Sequence, residues 1–271
     1  MMLREQVRRW VPDAVLQRYR DHQLRRGLPA TATWQDAVDR QGLPFDDPGC
    51  ERAITANLAW LTRAQDCSKI SDGGVARHFS LIDGWAASYP ETTGYIVPTM
   101  LVEAEIRGDD SLSQRAERML DWLVAIQFPE GGFQGGVVTQ EPAVPVTFNT
   151  GQILLGLAAG ARLAGTNPTG GNQTGANSTK HAAYLDGMHR AARWLVETLD
   201  DDGCWRRFAT PFAAPGEKTY ETHVAWGLFE ADRVAPGEGY GEAGMKQVRW
   251  ALGKQLDNGW LRDCCLGDPE R

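Results

Sequence analysis

Three short stretches of the chain carry side chains suited to moving protons. They are Tyr89-Pro90-Glu91-Thr92-Thr93-Gly94-Tyr95, Phe148-Asn149-Thr150-Gly151-Gln152 and Tyr220-Glu221-Thr222-His223. Together they hold two carboxylates, several phenols, an imidazole and two amides. Carboxylates from two separate stretches are the minimum for acid/base work on a glycosidic bond or a sugar carbon, which makes Glu91 and Glu221 candidate catalytic residues. Tyr95, or His223 with the near-neutral titration of an imidazole, is the candidate proton partner. A sugar needs dense donors and acceptors, so Tyr89, Asn149, Gln152 and Tyr220 are candidate binding residues. Trp85, Phe133 and Trp205 lie in glycine-rich loops and offer stacking faces. Simpler roles compete with each assignment. An acid at a helix start also serves as a dipole partner, a histidine as a satisfied core group and a tyrosine as packing.

These stretches are positioned by an internal repeat. A block ending in Trp60-Leu61, Trp122-Leu123 or Trp194-Leu195 recurs, and Trp250-Ala251 begins a fourth. Four residues on stand Gln65, Gln127, Leu199 and Gln255. A glycine turn follows at Gly73-Gly74, Gly131-Gly132-Phe133, Gly203-Cys204-Trp205 and Gly259-Trp260. The second block then opens at Thr93, Thr150 or Thr222. Trp122 to Thr150 and Trp194 to Thr222 both span 28 positions, against 33 from Trp60 to Thr93.

Each block predicts a helix. Ala116, Met119, Leu120, Leu123 and Ile126 recur at threes and fours, the period of one helical face. Glycine then supplies the left-handed conformation of a helix end. Ile153 to Ala161 is apolar on all sides, as in a helix enclosed by neighbours. The unit is therefore an outer helix, a glycine turn, a loop and a buried inner helix, a hairpin that must stack on others to bury its faces. Pro98 leaves two readings: an inner helix that starts near it, or one that contains it.

The expected fold is all-α: an α/α toroid of repeated helical hairpins, incomplete, with about three and a half hairpins and an N-terminal helix. Residues 1–45 are expected to form an amphipathic helix and a connection, and 46–271 the toroid segment. By the 28-residue spacing the fourth inner helix belongs near 278, past Arg271, so the expectation is a chain truncated in that repeat. Residues 165–180, rich in Gly, Asn and Thr, read as a mobile surface insertion.

Composition narrows the function classes. The net charge of -7 is interspersed, and the one basic cluster, seven Arg in the first 26 residues, reads as a solvated helix face and not a nucleic-acid surface. The run 153–161 falls short of the roughly 20 residues of a membrane span. The first 26 residues have no apolar core of a secretory signal. The five scattered Cys suggest no disulfide framework, and a cytoplasmic location is expected. Cys264-Cys265 with His223 lacks a diagnostic metal-ligand spacing, so no cofactor or metal is expected.

The blocks Arg190-Ala191 through Trp194-Leu195 with Gly203-Cys204-Trp205, and their counterparts around Trp122 and Trp250, resemble the QW repeat of the terpenoid cyclase and protein prenyltransferase superfamily. That resemblance implies the toroid more than a chemistry, and the Asp-x-Asp-Asp acid motif of protonating cyclases is missing; Asp200-Asp201-Asp202 sits in a turn. The stretches Ser88 to Tyr95 and Phe148 to Gln152 are similar to inner-helix starts in carbohydrate-active toroids, the six-hairpin glycosidases and the sugar or uronate epimerases. This second resemblance implies an epimerase, lyase or hydrolase acting on sugar or uronate residues of an oligosaccharide or polysaccharide. A terpenoid cyclase or prenyltransferase relative, and a non-catalytic binding toroid, are the alternatives. An open ring edge would also offer an apolar surface for self-association.

Overall fold

The computed structural model describes residues 12–42, 46–163, 175–211, 213–214, 216–265 and 267. The chain forms two compact units, Met1–Thr55 with Phe79–Gly84, and Ala56–His78 with Trp85–Arg271.

In the first unit two helices, α1 (Asp13–Arg26) and α2 (Ala30–Asp39), stand where one was expected. Gly27 and Pro29 explain the division: glycine weakens a helix and proline cannot continue one from its interior, though it is well placed before a first turn. Pro29 is the N-cap residue of α2, and its carbonyl accepts from Thr33 Oγ1. In the 79–84 turn, Ser80 Oγ accepts from the amides of Ile82 and Asp83. Residues 1–11 and 43–45 of the predicted N-terminal segment lie outside the described residues.

The second unit is built from alternating outer and inner helices. The outer ones are α3 (Cys50–Asp66, from Ala56 on), α5 (Asp110–Ile126), α7 (Gly175–Thr198) and α9 (Tyr240–Leu252). The inner ones are α4 (Pro90–Arg107), α6 (Thr147–Leu163) and α8 (Thr222–Val234), with a single 3-10 turn, Thr219–Glu221, leading into α8. Each inner helix packs on the next, α4 on α6 and α6 on α8, and each pairs with the outer helix that follows it. This is the α/α toroid arrangement. Of the predicted insertion, residues 165–174 lie outside the described residues, whereas 175–180 are the opening of α7.

The repeated residues hold one hairpin to the next. Gly73, Gly131 and Gly203 have φ of +104°, +107° and +97°, conformations that side chains rarely adopt. A Cβ on them would stand 3.2, 2.3 and 2.6 Å from the carbonyl oxygens of Arg118, Arg190 and Lys246. Those three residues each lie four before the tryptophan of the next outer helix, so every turn is pressed against its successor. Gln65 and Gln127 complete the joint. Gln65 Nε2 donates to Gly73 O and Arg115 O, and Gln127 Nε2 to Gly131 O and Gly187 O. On the inner side Thr93 Oγ1 accepts from Val75 N, and Thr150 Oγ1 from Phe133 N, so two loop amides buried beneath the wall are satisfied.

The inner helices approach through small residues. A Cβ on Gly94 would meet Ile153 Cα at 2.4 Å, and one on Gly151 would meet Val224 Cα at 2.7 Å. α4 begins with Pro90 in its first turn and contains Pro98. Pro98 has no amide to offer Gly94 O. Gly156 of α6 lies against that carbonyl, where a Cβ would come within 2.4 Å of it. Ile153, Leu154 and Leu157 are fully buried on α6, each worth about 2 kcal/mol of apolar burial.

Candidate active site

Because the inner helices pack side by side, their N-terminal ends bring the three chemistry-bearing stretches together. Glu91 lies in the first turn of α4, just after its N-cap residue Tyr89. Tyr89 Oη donates to Glu91 Oε2 at 2.9 Å, and Asn149 Nδ2 of α6 donates to the same oxygen at 3.2 Å. Burial raises the Glu91 carboxyl above the usual carboxylate range, with the Tyr89 hydrogen bond and the Arg77 charge opposing it. The Arg77 guanidinium lies over the Tyr89 ring, 5.3 Å from its centroid. Burial, then the neighbouring Glu91 charge, pushes the Tyr89 phenol up to about 12. The same two causes raise Tyr95.

Two cavities meet at this point. The first, of about 380 Å³, is lined by Tyr89, Glu91, Phe148, Asn149, Tyr220 and His223, with Thr210 and Cys264 at its loop side. The second, of about 680 Å³, runs along the inner helices past Tyr95, Gln152 and Trp226 toward Arg162, Glu230 and Arg233. Glu91, Phe148 and His223 line both. Phe148 carries the contact between helices: Tyr220 meets it edge-on with centroids 5.5 Å apart, and His223 lies 6.1 Å away. The Tyr220 phenol, raised chiefly by burial, has no hydrogen-bond partner among the described residues. At the far end Glu230 pairs with both Arg162 and Arg233.

Seven of the predicted site residues therefore reach a cavity: Glu91, Tyr95, His223, Tyr89, Asn149, Gln152 and Tyr220. Three do not. Glu221 is 3% exposed and lines neither cavity. Burial pushes its carboxyl up to about 8, and its Oε2 has no partner among the described residues. Trp205 is also 3% exposed and donates its indole N–H to Leu195 O at 3.0 Å, so it is a core residue and not a stacking face. Phe133 is likewise fully buried. Trp205 thus points under the wall, against the outer helix just completed, whereas Trp260 after the Gly259 turn is 54% exposed. Trp85 stacks on Trp60, with centroids 4.9 Å apart, and lines neither cavity.

Thr210 and Cys264, which arrive from loops without a pattern, line the smaller cavity although neither was among the candidate substrate-binding residues. Trp226, Glu230 and Arg233 were not among them either, although these follow His223 at helical intervals and periodicity could have found them. Among the described residues no three His, Cys, Asp or Glu side chains converge as metal ligands do. No described helix is long and apolar enough to cross a membrane.

No protein-family model matches the chain, and no curated protein does. Solved structures do. An unsaturated glucuronyl hydrolase specific for heparin superposes with a TM-score of 0.56 at 16% identity, over 81% of this chain and 52% of that one. A glycosyl hydrolase family 88 protein from Bacteroides vulgatus gives 0.52 at 13% identity, over 83% and 62%. A possible member of the GH105 family from Salmonella enterica serovar Paratyphi A gives 0.57 at 13% identity, over 92% and 69%. The chain spans about half the length of the first of these. These likenesses establish the α/α toroid fold. They lend the terpenoid cyclase and prenyltransferase resemblance no support.

Proposed function

We propose that the chain belongs to a carbohydrate-active enzyme, and that Glu91 is the acid that gives a proton to a uronate-bearing sugar held against Phe148. The observation that carries this reading is the setting of Glu91: a partly buried carboxyl of raised pKa where two cavities meet. Both of its hydrogen bonds fall on Oε2. A proton on Oε1, the oxygen that Tyr89 and Asn149 do not touch, would leave both of those hydrogen bonds in place. His223, which lines both cavities with Glu91, is the group that would take a proton as Glu91 gives one. Tyr220 and Asn149 supply hydrogen-bonding groups and Phe148 an aromatic face, the mixture a sugar calls for.

With Glu221 buried, the cavity holds one predicted catalytic carboxylate, and the two-carboxylate scheme for glycosides is not assembled from these residues. Acid/base chemistry by Glu91 with His223 or Tyr95, as in a lyase, an epimerase or a hydrolase acting through one acid, fits better. The solved neighbour described as an unsaturated glucuronyl hydrolase favours the same substrate class. An isoprenoid would need a cavity walled by apolar groups; Glu91, Asn149 and His223 at its centre argue against one.

The test is turnover of unsaturated glucuronyl disaccharides, followed by loss of ultraviolet absorbance, for wild type and Glu91→Gln. Loss of about 10²–10⁴-fold in kcat, with an unchanged unfolding midpoint, is the expected result. Full activity in Glu91→Gln would remove the assignment.

A further inference from the structure

The geometry points to a second sugar subsite in the 680 Å³ cavity, so that the substrate is an oligosaccharide lying across Glu91 and not a single sugar in the smaller cavity. This rests on the carbohydrate reading above and extends it along the inner helices. Three observations carry it. The two cavities share Glu91, Phe148 and His223, so a ligand filling both would be in contact with the acid at its middle. Tyr95, Gln152 and Trp226 follow those residues by four, four and three positions, which places them one helical turn further along the same faces. Above all, Gln152 lines this cavity while only 5% exposed, and its Nε2 has no hydrogen-bond partner among the described residues.

A buried amide donor left unpaired is costly unless something accepts from it. A sugar hydroxyl or ring oxygen in this cavity would do so. Trp226, 54% exposed beside it, offers the broad aromatic face on which a pyranose stacks. Arg233, largely exposed at the far end, would meet a carboxylate or sulfate on the next sugar. An apolar peptide or a lipid tail would leave Gln152 unpaired. The occupant the cavity fits is polar, flat-faced and acidic.

The experiment compares wild type, Gln152→Met and Trp226→Ala in calorimetric binding to glucuronic acid and to a heparin-derived unsaturated tetrasaccharide. The expected result is about a tenfold loss of tetrasaccharide affinity in each variant, the worth of one hydrogen bond or stacking contact, with glucuronic acid affinity unchanged. Gln152→Met should unfold no earlier than wild type without ligand, because its amide nitrogen has no bond to lose. Trp226→Ala, at an exposed position, keeps the test available if Gln152→Met does not fold. Equal losses for both ligands, or no loss for either, would overturn the second subsite while leaving the Glu91 site standing. Wild type that bound neither ligand would overturn both readings together.

Discussion

Glu221 gives the prediction that the structure quantifies most directly. The side chain is 3% exposed, its Oε2 lacks a partner among the described residues, and burial pushes its carboxyl up to about 8 against an ordinary 4.5. The native state therefore keeps a proton that the unfolded chain releases above about pH 4.5. Through the window from 4.5 to about 8 the unfolded state binds one proton fewer, so stability falls as pH rises, by about 1.4 kcal/mol per pH unit. Over the whole window the loss is about 5 kcal/mol, an upper figure because a buried site relaxes when it ionises. Above about pH 8 the carboxylate is charged in both states and the loss levels off. Glu221→Gln removes the titration while keeping the shape. Urea unfolding followed by tryptophan fluorescence, at intervals from pH 5 to 9, should show the two proteins of similar stability at the acid end. The variant should then gain steadily, reaching several kcal/mol at pH 9. Subtracting the curves cancels the other carboxyl groups, Glu91 included. Parallel curves would mean that Glu221 ionises at its ordinary pKa, and the account of it as a buried neutral acid would fail.

The inter-hairpin joints and the helix approaches give two further outcomes, both measurable by chemical denaturation. Gln65 uses both ends of its amide, donating to Gly73 O and Arg115 O and accepting from Arg115 Nη1, whereas Gln127 Oε1 is buried without a partner among the described residues. Gln65→Leu should therefore cost about 3 kcal/mol and Gln127→Leu only about 1–2; equal costs would contradict the bonding scheme. Gly156→Ala would drive a Cβ to 2.4 Å from the Gly94 carbonyl and should cost about 3 kcal/mol or more. Gly187→Ala, whose Cβ would meet nothing nearer than 3.4 Å, should stabilise α7 by about 0.5–1 kcal/mol.

The toroid was legible because its joints recur in identity as well as in pattern. Trp122 and Trp194, Gln65 and Gln127, and Gly73, Gly131 and Gly203 each repeat the same physical contact, and a contact made at every joint selects the same residue every time. The N-terminal division was less visible, since nothing in the internal repeat extends to residues 1–45 and the break rests on Gly27 and Pro29 alone. The stacking assignments failed for a different reason. Trp205 and Phe133 lie in loops, where no period tells inside from outside; only the outer helix packed above them decides it. Glu221 carried a usable signal. It aligns with Thr92 and Asn149, and although Asn149 lines the smaller cavity it is itself only 2% exposed, so an acid at this position of the repeat starts from a nearly buried place.

The candidate site lies where the repeats disagree. Positions that carry the ring stay the same from hairpin to hairpin, whereas the cavity-facing series Glu91, Phe148 and Tyr220 changes chemistry at each step. His223 is the clearest case. It occupies the place of Gly94 and Gly151, which must be glycine because the next inner helix comes within van der Waals contact of them. Among the described residues no further inner helix packs on α8, and an imidazole fits there, turned into both cavities. In a ring of near-identical hairpins the chemistry resides in residues that the packing leaves free to differ. Divergence within a strict internal repeat is therefore a guide to the site, and here it selects Glu91, Phe148, Tyr220 and His223 without reference to any other protein.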